Sequence, residues 1–344
     1  MRQQSYYKCS LFDQTIKEKT NFSFIQDEVI SKNFALDNSI FDIKKIEYKC
    51  RYEEKIKFTT GKPVGILPIK DNTELLLFTL NNLLNFKVFD YIDFIIVDDR
   101  STNDIKKICS GFPVNYLRID YERSFNFSSI NNIAAKIAYD AGVEEIILWN
   151  SDLWVPDEHM VPKLLKLHKE NDSTISGTKL LYPTFSWNNK DVSENIMSAF
   201  PGKKDSYRGT IQFGGSVFTF NPQLKSYFPN HFCRFKEKDY YLVSSDKLEQ
   251  FVTGAFQIIN LKWFIDCGGL NPSMSKIFQD VDICLMAVSQ DKKVFYFGKD
   301  CYLYHDESVS TNENKIDNQF RSDHILFAKI WNYVNYTKYI QKFG

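Results

Sequence analysis

The sequence has no uninterrupted run of about 18 apolar residues, the length a bilayer-spanning helix needs. Its opening stretch, MRQQSYYKCSLFDQ, has no apolar core of the kind a secretory signal carries, so a cytoplasmic protein is expected. Cys9, Cys50, Cys109, Cys233, Cys267, Cys284 and Cys301 form no C-x-x-C pair. The spacings typical of thiol-metal and dithiol-redox sites are therefore missing, and the cysteines read as reduced core thiols. Excess charge is missing too, since Lys+Arg and Asp+Glu both total 43. That balance argues against an overall electrostatic footprint for nucleic acid, and no such partner is expected. Glycine (14) and proline (10) are modest, and no short repeat or low-complexity tract occurs. What is present is apolar mass: 43% hydrophobic residues, with 30 Phe and 19 Tyr. A chain of 344 residues with that content builds one large or two modest domains.

Residues 1–60 are polar, Lys-rich and interrupted, and carry no recognisable chemistry. Order is expected from Pro63. VGILPI (64–69) is a short apolar run stopped by Lys70-Asp71-Asn72, as in a buried strand. Residues 73–86 place Leu and Phe on a helical stripe, with Thr73 as the expected N-cap. Strand-like runs follow at 94–99, 114–120 and 144–152, and helical patterns at 128–142 and 160–171, the first closed by Gly142. Strands alternating with helices predict a parallel sheet covered on both faces. After about Gly177 the rhythm changes to shorter strands and a long loop over 184–209, a length that usually serves function. From Thr311 onward one or two aromatic-rich helices are expected.

Several apolar runs end in polar, chemistry-bearing residues, and strand ends are where an α/β sheet binds its ligands. Asp98 and Asp99 close FIIVDD; they suit a nucleotide base or ribose, or simply cap the next helix. Asn150-Ser151-Asp152 interrupts IILW and LW, and a carboxylate there suits a hard cation bridging a diphosphate, with a plain turn as the alternative. Asp280 and Asp282 open the helical pattern ICLMAV. Acids at a helix start are favoured by its dipole, but two positions apart they do not share a face. One can brace while the other faces a cleft as a general base. His305 ends CYLY and is followed by Asp306-Glu307; an imidazole there suits Mn²⁺. Trp149, Trp154, Trp187 and Trp263 suit either sugar stacking or the core.

Together these segments resemble the family 2 glycosyltransferases of the GT-A fold, especially bacterial polysaccharide, O-antigen and rhamnosyltransferase-like members. The likeness rests on PVGILPI, IIVDDRSTND, FNFSSINNIAAKIA, NSD, GTKLLYP with IQFGG, VTGAFQIIN with WFIDCGGLNP, QDVDICL and YHDES, in that order over about residues 61–310. It implies a Rossmann-like, mostly parallel sheet flanked by helices. A nucleotide-sugar half (61–177) would be followed by a mixed acceptor half (178–310), with an N-terminal extension (1–60) and a C-terminal helical segment (311–344). On the donor side it implies Pro68, Lys70, Asp98, Asp99, Asn131, Asn150 and Ser151, with Asp99 on the base. Asp152 and His305 would hold Mn²⁺ or Mg²⁺, and Asp280 would be the base of an inverting transfer. Gly254, Ala255, Gly269 and Gln279 would line the acceptor or sugar side. The implied donor is a UDP- or dTDP-sugar and the implied acceptor a glycan or lipid-linked glycan, as in capsule or O-antigen assembly. The chain departs from the family at Lys70-Asp71, at the single Asp of NSD and at Met286.

Two other readings compete. A nucleotidyltransferase would carry a Gly-rich basic loop after the first strand, where PIKDNTE stands. A non-catalytic nucleotide-sugar or glycan scaffold would tolerate the single Asp of NSD. In the C-terminal segment, Phe320, Phe327, Ile330, Trp331 and Val334 fall near one helical stripe. Residues 315–344 carry five Lys or Arg against two Asp, so a peripheral membrane contact is one expectation. Packing of the stripe on the catalytic domain, or on a second copy in a homodimer, is the other.

Overall fold

A computed structural model describes residues 49–51, 56–120, 125–187, 207–221, 226–306 and 318–331. Its centre is an 11-stranded sheet. The first half alternates: β1 (Lys49–Arg51), β2 (Val64–Ile69), α1 (Thr73–Asn85), β3 (Asp93–Asp99), α2 (Ile105–Cys109), β4 (Val114–Asp120), α3 (Phe127–Asp140), β5 (Glu145–Trp149), β6 (Leu153–Trp154) and α4 (Met160–Glu170). The second half holds β7 (Ile175–Leu181), β8 (Ile211–Phe213), β9 (Ser216–Asn221), β10 (Ser226–His231), β11 (Lys247–Leu248), β12 (Phe256–Asn260), α5 (Leu261–Asp266), α6 (Gln279–Ser289), β13 (Val294–His305) and α7 (Asn318–Trp331).

The strands run β1-β4-β3-β2-β5-β12-β7-β13-β11 across the sheet, and β9 and β10 form a separate hairpin. β4, β3, β2 and β5 are mutually parallel. β12 lies antiparallel between β5 and β7, and β7 pairs in parallel with β13. The sheet is thus parallel in the first half and mixed beyond β5. Both faces of the central strands are covered, which is why VGILPI and FIIV read as continuous apolar runs rather than alternating ones. The chain builds outward from β2 through β3 to β4, then returns to place β5 on the other side of β2. That reversal opens a crevice at the C-terminal ends of β2 and β5.

The N-cap of α1 is Asn72 rather than Thr73: Asn72 Oδ1 accepts the Leu75 N–H at 3.1 Å, and Thr73 is already helical. Gly142 does close α3, with φ of 82°. The expected break at residue 61 is crossed from the N-terminal side. β1 pairs antiparallel with β4, and the Lys57 N–H donates to Asn115 Oδ1 at 3.0 Å. At the other end, Phe327, Ile330 and Trp331 of α7 are buried in the main core. Phe327 packs on Phe278 and Trp331 donates to Asp282 of α6, so these stripe residues lie against the domain and not on a free membrane face; Val334 lies outside the described residues. Among the described residues no helix is long and apolar enough to cross a membrane.

Candidate active site

β5 ends at Trp149, and Asn150-Ser151-Asp152 form a turn before β6. The turn is held from below, since Thr79 of α1 donates its hydroxyl to the Ser151 carbonyl at 2.5 Å. β6 pairs antiparallel with the end of β13, matching Leu153 with His305. This register brings Asp152 Oδ1 within 3.3 Å of His305 Nε2, with both side chains almost fully buried. Asn150 Nδ2 stands 3.5 Å from the same ring nitrogen. Asp306 follows: its N–H donates to the Asp152 carbonyl at 3.0 Å, and Trp187 Nε1–H donates to its Oδ2 at 2.9 Å. Asp306 Oδ1 is buried without a hydrogen-bond partner. Burial pushes the Asp306 carboxyl up to about 6; the Trp187 bond opposes this and the Asp152 charge adds to it.

Asp280 reaches the same place from α6. β12 starts where β5 ends, so the Asn150 N–H donates to the Ala255 carbonyl at 3.0 Å. One residue earlier, the Gly254 N–H donates to Asp280 Oδ2 at 2.6 Å. The Val281 N–H donates to Asp280 Oδ1 at 2.9 Å. Burial raises the Asp280 carboxyl above the ordinary carboxylate range, against the pull of the Gly254 and Val281 N–H groups. A carboxylate has about four acceptor directions, so Asp280 keeps one open after these bonds and the contact of its own N–H. Gly254 is a glycine for a reason: a Cβ there would lie 2.7 Å from Asp280 Cβ. Neither acid caps α6. The capping position is Phe278, which makes no side-chain cap bond. Asp282 points away from Gly254 and accepts the Trp331 Nε1–H at 2.8 Å, and burial pushes its carboxyl up to about 7.

The Asp98–Asp99 pair divides in the same manner. Neighbours on a strand face opposite ways. Asp98 accepts from the Ser101 N–H (2.8 Å), the Tyr116 hydroxyl (2.6 Å) and Arg118 Nη1 (2.9 Å). Its carboxylate is occupied by the protein, so the expected ligand contact at Asp98 becomes a bracing one. Asp99 Oδ1 meets Arg100 Nε at 2.9 Å, while Asp99 Oδ2 is buried with no partner. Neither acid caps α2, whose N-cap is Asp104. Lys70 is exposed and Pro68 partly so, beside Val97 in the β2–β3 register. Asp71 turns back onto the other loop: its N–H donates to Ser101 Oγ and its carboxylate accepts from Thr102.

Other expected residues lie apart or act on the backbone. Asn131 is buried in α3 and donates to the Phe127 carbonyl of its own helix at 2.8 Å. Gly268 and Gly269, with φ of 96° and 76°, turn the chain out of α5. The next residue, Leu270, exchanges both backbone groups with the Asn132 amide, so this turn is anchored to α3. Gln279 is buried and keeps Oε1 without a partner. Trp149 and Trp154 are core residues, and Trp263 donates to Gln290 Oε1 at 2.9 Å. Cys109, Cys284 and Cys301 are buried free thiols, while Cys233 and Cys267 are free but only partly buried. Residues absent from the sequence reading are Asp306 as a carboxyl with an open oxygen, Trp187 as its partner, and Gln257. Gln257 is fully buried and donates to the Val252 carbonyl at 2.7 Å and to the Asp280 carbonyl at 3.3 Å. Only the HDES run hinted at the first.

Among the described residues, no three His, Cys, Asp or Glu form a complete metal shell. The Asp152 carboxylate and the His305 imidazole supply two convergent donors, with the Asp306 carboxyl adjoining them. Oxygen and imidazole donors of that number fit Mn²⁺ or Mg²⁺ when substrate phosphates complete the shell.

A crevice at the strand ends of a sheet with this order, lined by carboxylates, is the architecture of a GT-A glycosyltransferase. Residues 66–232 match the family model described as glycosyl transferase family 2. That stretch, just under half of the chain, carries the family 2 glycosyltransferase pattern. The chain is 26% identical over 140 residues to the O-antigen biosynthesis protein RfbC of Myxococcus xanthus, covering 40% of this chain and 10% of that protein. It is 25% identical over 250 residues to the uncharacterized protein y4gI of Sinorhizobium fredii (strain NBRC 101917 / NGR234), covering 71% of this chain and 24% of that protein. The chain therefore spans a quarter or less of the length of these relatives. The crystal structure of GalNAc-T7 with UDP, GalNAc and Mn²⁺ superposes with a TM-score of 0.55 at 11% identity, over 78% of this chain and 48% of that one. That likeness is one of fold.

Proposed function

We propose that this glycosyltransferase inverts the anomeric centre as it moves a sugar from a UDP- or dTDP-sugar to a glycan or lipid-linked acceptor in bacterial surface polysaccharide assembly. The observation that carries this reading is the short chain of contacts from His305 and Asp152 through Asn150, Ala255 and Gly254 to Asp280. It sets a cation-competent pair next to the Asp280 carboxylate. The buried, open Asp99 Oδ2 supports base recognition, because it can accept an imide N–H of uracil or thymine. Lys70, Pro68 and Ser151 border the same strand ends, and Asn150 flanks the diphosphate position. Mn²⁺ or Mg²⁺ on Asp152 and His305 would offset the charge of the leaving diphosphate. The name of the Myxococcus relative supports surface-polysaccharide assembly, and the UDP and Mn²⁺ of the superposed structure support the donor class.

Asp280 accepts the proton of the acceptor hydroxyl as that oxygen forms its bond to the anomeric carbon. The bond to the diphosphate oxygen breaks on the opposite face, and the nucleoside diphosphate leaves with the electron pair. One base suffices, with no covalent enzyme intermediate. Gly254 and Val281 hold the carboxylate, and Gln279 offers its open oxygen to the sugar or acceptor.

The test is nucleotide release from a panel of UDP- and dTDP-sugars with MnCl₂ in the presence of glycan acceptors. Asp280→Asn should lower turnover by about 10²–10⁴-fold, while UDP binding by calorimetry stays at the wild-type level. Substantial turnover by Asp280→Asn would remove it from the base role, and no release from any donor would overturn the donor class.

A further inference from the structure

The short segment that delivers Asp280 is held in an unfavourable conformation. Phe278, two residues before Asp280, has φ of 66° and ψ of −3°. A bulky side chain rarely adopts this left-handed conformation, and it persists only where surrounding structure over-determines it. Here the surroundings are supplied by α7. Asp323 of α7, itself buried, accepts the N–H groups of three consecutive residues: Ser275 at 3.1 Å, Lys276 at 2.7 Å and Ile277 at 3.1 Å. The Phe278 ring sits edge-on to His324 (4.8 Å between centroids, 76°) and against Phe327 (4.8 Å). Phe228 of β10 joins the cluster, 5.9 Å from the Phe278 ring and 5.3 Å from His324. One helical turn beyond Phe327, the Trp331 indole donates to Asp282 at 2.8 Å. Contacts from one helix thus bracket Asp280 on both sides, at 275–278 before it and at 282 after it. None of these α7 residues touches Asp280.

We infer that α7 is the positioning element of the catalytic carboxylate: Asp323, Phe327 and Trp331 hold Phe278 left-handed, which fixes the aim of Asp280. The inference rests on Asp280 acting as the base. It explains why the described part of the C-terminal segment packs its apolar stripe inward.

The experiment uses the full chain with Asp323→Asn, Trp331→Phe and Phe278→Gly. Amide hydrogen exchange reads the geometry without any donor. Both α7 variants should speed exchange at the Gly254 and Val281 amides about tenfold, while Ile66 and Ile95 in β2 and β3 keep their protection. Wild-type protection at Gly254 and Val281 in both variants would overturn the inference.

Turnover is then measured with the donor that the nucleotide-release panel identifies. Trp331→Phe and Asp323→Asn should lower kcat about tenfold or more, with donor KM within about twofold of wild type. Glycine adopts a left-handed φ without strain, so Phe278→Gly in the Asp323→Asn background should recover about a third or more of the lost kcat. A purely structural brace would show equal losses with and without Phe278→Gly, and that result would overturn the inference. Should Asp323→Asn fail to fold, Trp331→Phe decides alone, because it keeps an aromatic ring at this core position while removing the indole N–H donor. Asp280→Asn is run alongside. If it turns over, the base assignment fails and this inference falls with it. If it is inactive while Trp331→Phe has wild-type kcat, only the role of α7 is overturned.

Discussion

At the residue scale, Asp280 and Asp282 show how environment separates two identical side chains. Asp280 meets two backbone N–H groups, whereas Asp282 is buried with a single indole donor and titrates near 7. An acid whose folded-state pKa lies above its unfolded value of about 3.9 binds an extra proton in the folded state. Its contribution to stability therefore falls as pH rises from about 4 to about 7, then levels off. Asp282→Asn lacks this loss. Its stability relative to wild type should rise by up to about 4 kcal/mol between about pH 4 and pH 8 in urea denaturation. A difference independent of pH would mean that Asp282 is ionised throughout. Gly254→Ala should act on the other acid. The added Cβ falls 2.7 Å from Asp280 Cβ, so the carboxylate must move off the 254 N–H. Turnover should fall by about 10²-fold, with UDP affinity by calorimetry near the wild-type value.

At the element scale, the N-terminus of α3 anchors the loop that leads into α6. The Phe127 N–H donates to the Ser275 carbonyl at 2.8 Å and Ser128 Oγ to the Met274 carbonyl at 2.6 Å. Asn126 does two jobs: Oδ1 caps the helix by accepting the Ser129 N–H at 2.9 Å, and Nδ2 donates to the Pro272 carbonyl at 2.8 Å. Asn126→Ala loses the cap and the tether, and should cost about 1–2 kcal/mol in urea unfolding. An unchanged midpoint would show that the loop is held by its other contacts alone. The same loop is gripped from the far side by Asp323 of α7, so a helix from each half of the chain converges on it.

At the scale of the whole molecule, the site is assembled from segments more than 150 residues apart. Asp152 follows β5 in the first half of the chain and His305 ends the last strand, and their meeting depends on β6 pairing with β13. A ligand bridging such distant segments stabilises the fold by mass action. UDP with Mn²⁺ at about a hundredfold excess over Kd should contribute about 3 kcal/mol, a Tm rise of about 5–10 °C for a domain of this size. EDTA should cancel most of the rise in wild type, and Asp152→Ala should lose it without EDTA. An equal rise in Asp152→Ala would exclude that carboxylate from the cation shell.

The sequence by itself determined the strands and helices of the first half, because apolar runs stopped by polar turns and helical stripes closed by Gly142 are local signals. It also marked the Asp98–Asp99 pair, Asp152, the Asp280–Asp282 pair and His305, since carboxylates and an imidazole bordering apolar runs are visible in one dimension. Tertiary structure alone decided which member of each acidic pair is engaged by the protein. Asp98 and Asp99 differ only in which face of β3 they occupy, and the β3–β4 register puts Arg118 opposite Asp98. Asp280 and Asp282 differ in that Gly254, 26 residues upstream, reaches one, while Trp331, 49 residues downstream, reaches the other. The amphipathic stripe of α7 was legible, but its partner was not. A stripe records that a helix buries one face, and only the packed chain shows that the face covers the left-handed Phe278 and the approach to Asp280.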